Sequence, residues 1–131
     1  PTTGGVILAF EVARQLGVSA AYAERTSEGE RTREFRRGTR FAPGSRILVV
    51  DDILTTGGSV RETLDALQTH QVEVVGVAVL VDRSGDAANI GAPTFALTSR
   101  DIATWEAAAC PLCASGLPLV KPGSTAGGVS V

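Results

Sequence analysis

Apolar residues change their spacing several times along the chain, and each change marks an element. Val6, Ala9, Phe10, Ala13 and Leu16 recur at helical intervals, and Gly17 stands where a left-handed cap belongs, so residues 5–17 are predicted helical. Residues 18–23 read as a short strand. The run Ile47-Leu48-Val49-Val50 shows no polar alternation, the pattern of a strand buried on both faces of a parallel sheet. Residues 72–81 form a second such run and 94–97 a shorter third. Between the first two, Val60, Thr63, Leu64 and Leu67 mark a helix ending near His70. Pro43-Gly44 is a turn, and residues 82–93, with Gly85 and Gly91, form a loop. Ser99 is placed to N-cap a helix over residues 101–109. Strands alternating with helices predict an α/β fold, a mainly parallel sheet flanked by helices. The expected division is a core over residues 1–109 and a Pro/Gly/Ser-rich segment over 110–131 whose end frays.

Charge changes this picture at one place. The net charge of −2 gives no bulk attraction to nucleic acid or an anionic membrane. No apolar run reaches membrane-spanning length and no secretory signal opens the chain, so a cytoplasmic protein is expected. Two cysteines, Cys110 and Cys113, do not make a secreted disulfide framework. Residues 24–40, however, hold six of the twelve basic residues together with four glutamates, and glycines at 29 and 38. This segment is expected to be a mobile loop with strand-like ends.

Candidate chemistry concentrates in RILVVDDILTTGGSV, residues 46–60. In open parallel sheets, ligands sit beyond the carboxyl ends of the strands, and Asp51 and Asp52 occupy such an end. Thr55, Thr56, Gly57, Gly58 and Ser59 then lead into a helix. Small residues let the backbone approach a phosphate, while unpaired N–H groups and three hydroxyls supply donors. The carboxylates suit sugar hydroxyls or a hydrated Mg²⁺. A ribose 5-phosphate fits both halves. The plainer alternative is an ordinary βα turn capped by Gly and Thr. The segment is not a P-loop, because the Gly-x-x-x-x-Gly-Lys-Ser/Thr spacing and its lysine are absent.

VVDDILTTGGS resembles the phosphoribosyl pyrophosphate (PRPP) signature of type I phosphoribosyltransferases. Pro1-Thr2-Thr3-Gly4-Gly5 with VILAFEVARQLG is similar to the pyrophosphate loop and helix of the orotate phosphoribosyltransferase branch. Tyr22-Ala23-Glu24-Arg25, before a charged loop closing on Arg36-Arg37-Gly38, resembles its flexible catalytic loop. Val81-Asp82-Arg83, PTFALTSRDI and CPLCASGLPLVKPGS also resemble that branch, and the likeness runs from residue 1 to about 124.

The resemblance implies transfer of ribose 5-phosphate from PRPP to orotate, giving orotidine 5'-monophosphate and pyrophosphate in pyrimidine synthesis. It implies Mg²⁺ as cofactor, placed through PRPP near Asp51 and Asp52. It assigns catalytic roles to Asp51, Asp52 and Arg25, the two aspartates holding the ribose hydroxyls. The 5-phosphate falls to Thr55, Thr56, Gly57, Gly58 and Ser59, the pyrophosphate to Thr3, Gly4 and Gly5, and orotate to Thr55 and Arg83. It further implies a homodimer sharing the loop, with no nucleic-acid or membrane partner. The branch's N-terminal strand and hood have no counterpart in this sequence. Its loop carries lysines and a histidine, whereas here Thr26 follows Arg25, leaving Arg31 or Arg33 as substitutes. A purine phosphoribosyltransferase and a non-catalytic PRPP- or nucleotide-sensing domain are the alternatives.

Other residues read as ordinary. Cys110 and Cys113 have metal-ligand spacing, but a tetrahedral zinc site wants four ligands. His70 is expected to be solvated, Phe95 and Trp105 to pack, and Asp101 and Glu106 to be helix-surface charges.

Overall fold

The computed structural model describes residues 1–27, 30–85 and 88–118. Two compact units divide the chain, residues 1–101 and 102–131.

In the first unit, helix α1 (Gly4–Leu16) ends where Gly17, at φ 66°, turns left-handed and donates its N–H to the Ala13 carbonyl. It packs on strand β3 (Ser45–Leu54). The buried positions of α1 are Gly5 and Ala13, while Phe10 and Leu16 of the predicted stripe are exposed. A helix that lies this close to a strand presses its smallest side chains inward. Residues 18–23 form no strand: Val18, Ser19 and Ala20 are exposed, and no neighbouring strand among the described residues offers them a ladder. Only Ala23 is buried, its carbonyl accepting the Thr2 N–H at 3.2 Å.

Residues 24–40 do carry strand-like ends: β1 (Glu24–Arg25) pairs antiparallel with β2 (Arg33–Glu34). Phe35 and Phe41 beyond them meet edge-on at 4.9 Å, and His70 packs edge-on against both. The expected solvated histidine is therefore part of an aromatic cluster, because the end of helix α2 (Gly58–Gln68) lies against the returning loop.

β3, β4 (Val72–Asp82) and β5 (Thr94–Ser99) form a parallel sheet in that order, with Val49 opposite Val77 and Val79 opposite Ala96. β3 runs past the predicted run and carries both aspartates inside its ladder, Asp51 opposite Val79. Against one sheet face α2 buries Val60 and Leu67, which join Val49, Leu54, Val77, Val79 and Ile90 in one core. That core holds the strand end rigid.

The helix predicted over 101–109 is absent. Ser99 is the last residue of β5, and the Arg100 N–H donates to the Asp82 carbonyl at 2.8 Å, so the ladder holds the backbone a cap would need. Asp101 and Glu106 accordingly lie on irregular chain. In the second unit, a 3₁₀ turn (Ala107–Ala109) precedes a one-turn helix α3 (Pro111–Ala114). Residues 119–131, the predicted frayed end, lie outside the described residues. Phe95 and Trp105 are 66% and 52% exposed, so neither packs as expected. Among the described residues no helix is long and apolar enough to cross a membrane.

Candidate active site

The end of β3 turns into α2 through Thr55, Thr56 and Gly57, and this turn builds a cradle. Gly57 adopts φ 77°, and a Cβ there would lie 2.5 Å from the Ile90 Cδ1 and 2.9 Å from the Arg61 Nη1. Only glycine fits both the backbone and the space. The first intrahelical bond runs from the Arg61 N–H to the Gly57 carbonyl at 2.9 Å, so the N–H groups of Gly58 and Ser59 are left to the cradle. A cavity of about 60 Å³ opens there, lined by Asp51, Leu54 and residues 55–60. Its donors are backbone N–H groups at a helix start and the hydroxyls of Thr55, Thr56 and Ser59, a set suited to a phosphate.

Beside the cradle, Asp51 is buried and its Oδ1 accepts the Asp52 N–H at 3.0 Å. Burial pushes the Asp51 carboxyl above its ordinary value. Asp52 is half-buried, and its Oδ1 accepts the Ile53 N–H at 2.8 Å. The N-terminus of α1 reaches the same point. A Cβ on Gly4 would collide with the Asp52 carboxylate, and one on Gly5 would lie 2.9 Å from the Val50 carbonyl and 3.1 Å from the Asp51 Oδ1. The Thr2–Thr3 peptide is cis. Thr3, Gly4 and Gly5, far from the aspartates in sequence, are thus in contact with them or adjacent.

Arg83 follows β4, and its N–H donates to the Leu54 carbonyl at 2.7 Å, which sets it at the same sheet end. Its side chain is half-buried, with Nε lacking a hydrogen-bond partner among the described residues. Asp82 turns the chain here, its Oδ1 accepting the Ser84 N–H at 2.8 Å.

Five of the six loop arginines fall into three groups. Arg25 and Arg31 line a groove of about 510 Å³ that shares Thr56, Gly58 and Ser59 with the cradle. Arg37 is paired with Glu24 through two bonds of 3.2 and 3.1 Å, and Arg36 with Glu34. Arg33 lies inside, bonded to Glu62 at 3.0 Å. Of the two substitutes the sequence left open, Arg31 faces the groove and Arg33 does not.

Arg61 was not singled out by its sequence. It donates through Nη2 to the Thr56 carbonyl at 2.5 Å and through Nη1 to the Asn89 carbonyl at 3.1 Å, tying the cradle to the loop after β4. A faint signal existed: a cation in the first turn opposes the helix dipole, so it needs a local reason to be there. Cys110 and Cys113 are free thiols, and no cluster of three or more His, Cys, Asp or Glu side chains among the described residues could hold a metal alone.

Residues 1–113 match the phosphoribosyl transferase domain family. A protein named orotate phosphoribosyltransferase from Caldanaerobacter subterraneus subsp. tengcongensis is 47% identical over 124 residues, 95% of this chain. One of the same name from Carboxydothermus hydrogenoformans is 48% identical over 124 residues. The chain spans 64% and 63% of the length of these two relatives. Among solved structures, orotate phosphoribosyltransferase from Aeropyrum pernix superposes with a TM-score of 0.58 at 26% identity, covering 75% of this chain and 55% of that one. Adenine phosphoribosyltransferase from Rhodothermus marinus gives 0.63 at 19% identity, covering 76% and 66%, a likeness of fold alone.

Proposed function

Because the chain belongs to the phosphoribosyl transferase domain family, we propose that it transfers ribose 5-phosphate from PRPP to orotate, releasing orotidine 5'-monophosphate and pyrophosphate. The observation that carries the choice of base is Arg83, a half-buried guanidinium with an unpartnered Nε among the described residues, at the sheet end that holds the cradle and the aspartates. A carboxylate-bearing base gives that group a charge-assisted partner, and a purine does not. The names of the relatives support the same choice.

In this reading Thr55, Thr56, Gly57, Gly58 and Ser59 bind the 5-phosphate and Asp51 and Asp52 accept hydrogen bonds from the ribose hydroxyls. The N–H groups of Thr3, Gly4 and Gly5 meet the pyrophosphate, and Thr55 with Arg83 orients orotate. The bond from the ribose C1 to the pyrophosphate oxygen breaks with its electron pair staying on the leaving group. A ring nitrogen of orotate, which gives up its proton, bonds to C1. Arg25 and Arg31, lining the groove beside the cradle, stabilise the charge that grows on the pyrophosphate. Two carboxylates with no third protein ligand among the described residues suit Mg²⁺ that is also bound by substrate oxygens. Asp51 and Asp52 would hold it, and when bound it neutralises charge on the pyrophosphate. The same reading makes the protein a cytoplasmic homodimer of pyrimidine synthesis. The exposed Ile7, Phe10, Leu16 and Val18 on and after α1 supply apolar surface for a second copy.

Orotate absorbance, followed with PRPP and Mg²⁺, should fall. Arg83→Ala should raise the KM for orotate about 10- to 100-fold, equivalent to losing a charge-assisted hydrogen bond of about 1.5–3 kcal/mol. A purine consumed in place of orotate, untouched by Arg83→Ala, would overturn the choice of base. PRPP binding with no acceptor consumed would assign a sensor instead.

A further inference from the structure

Arg33 belongs to the loop that supplies Arg25 and Arg31, yet its guanidinium is 3% exposed and its partner Glu62 carboxylate 12%. All three of its nitrogens are engaged. Nε donates to the Glu62 Oε2 at 3.0 Å, and Nη2 to the Ser59 Oγ at 3.4 Å. Nη1 donates to the Thr2 Oγ1 at 3.1 Å and to the Ala23 carbonyl at 3.2 Å. Three separate stretches of chain, at Thr2, at Ala23 and at the start of α2, therefore meet on one planar fork.

Helix stability does not explain this placement. A cation beside Ser59 stands near the N-terminus of α2, where the macrodipole disfavours it. A buried ion pair also gains little over an apolar replacement, because desolvation offsets the Coulomb attraction. What the fork does is geometric. Thr2 immediately precedes Thr3, Gly4 and Gly5 at the start of α1, and Ser59 belongs to the cradle at the start of α2. Among the described residues, Arg33 is the only side chain that hydrogen-bonds to both segments.

We propose that Arg33 is a positioning residue that fixes the spacing between two anion-binding helix starts, so that one ligand carrying a phosphate at one end and a pyrophosphate at the other engages both at once. This rests on the PRPP reading above. A ligand held at two ends gains affinity because the second contact forms at high effective concentration, and that gain vanishes when the two sites are not held at the right span. A rigid five-donor fork can hold that span, whereas the single ammonium of lysine cannot replace it.

The test compares the whole ligand with its halves. Titration calorimetry with Mg²⁺ measures PRPP, inorganic pyrophosphate and ribose 5-phosphate on the unmodified chain, on Arg33→Met and on Arg33→Lys. Arg33→Met should weaken PRPP by about tenfold or more, while each half changes by less than about threefold. Arg33→Lys, with the charge kept and the fork lost, should not restore PRPP affinity. Thr2→Val removes one arm while the Arg33–Glu62 pair stays intact, and should show the same pattern at smaller size even if Arg33→Met fails to fold. Equal weakening of all three ligands, or restoration by lysine, would mean a general electrostatic or structural role and overturn the proposal. So would unchanged PRPP affinity. If the unmodified chain bound neither PRPP nor ribose 5-phosphate, the PRPP reading itself would fall, and this inference with it.

Discussion

Asp51→Asn/Asp52→Asn should lower PRPP-dependent turnover by at least about 10²- to 10³-fold, the usual cost of removing a preorganised charge from a reacting centre. In the proposed reaction the carboxylates would face the positive charge that builds on the ribose as the C1 bond breaks, and Asn keeps their shape and acceptor oxygens but not their charge. Orotate absorbance reads the loss. Stability should move the other way. Because burial raises the Asp51 carboxyl above its ordinary 3.8, the unfolded chain ionises first as pH rises. The stability associated with Asp51 is therefore fully present below pH 3.8 and is lost as pH climbs through the raised folded value. Asp51→Asn alone should melt higher than the unmodified chain at neutral pH, with the gap closing in acid. Thermal melts at pH 7 and below pH 4 check the sign. A variant that is both inactive and less stable at pH 7 would contradict this account of the carboxylate.

The adjacent glycines of α1 should fail in different ways. The three atoms nearest a methyl at Gly4 all belong to the Asp52 carboxylate, the far end of a side chain that can rotate away. Gly4→Ala should therefore fold normally, because the Asp52 side chain yields while the backbone keeps its place. Its turnover should fall about 10²-fold, because Asp52 leaves its place and a misplacement of about 1 Å has that cost. A methyl at Gly5 would lie 2.9 Å from the Val50 carbonyl, which belongs to the β3 ladder and cannot yield alone. Gly5→Ala should push α1 off the sheet and lose about 1–3 kcal/mol. Denaturant melts together with initial rates separate the two outcomes, and equal loss of stability in both would refute the distinction.

The two aliphatic strands were legible from their runs, and Val49 and Val77 are buried. The expected burial on both sheet faces is not met: Leu48 and Leu80 are 41% and 39% exposed, and the exposed Glu73 interrupts the second run. The cradle was legible for a related reason. Its chemistry lies within nine consecutive residues, 51–59, and local turn geometry alone brings them together. Residues 18–23 misled because strand propensity without an adjacent strand makes no ladder. The predicted helix at 101–109 failed because Ser99 and Arg100 were already committed to β5 and β4.

The loop arginines mark where sequence stops deciding. Six arginines near four glutamates carry no internal label for which is paired, which is open and which is buried. Packing made the assignment, turning Arg33 inward to Glu62 and leaving Arg25 and Arg31 on the groove. The same holds for His70, drawn into contact with Phe35 and Phe41, and for Arg61, which joins two loops. What the sequence determined by itself was the parallel α/β core and the phosphate-suited strand end, because these follow from side-chain polarity along contiguous stretches. What only the tertiary structure decided was the meeting of Gly4 and Gly5 with Asp51 and Asp52, and of Arg33 with Thr2 and Ser59. Those contacts join segments distant in the chain, and only the packing of α1 and the loop against the sheet end and α2 brings them within reach.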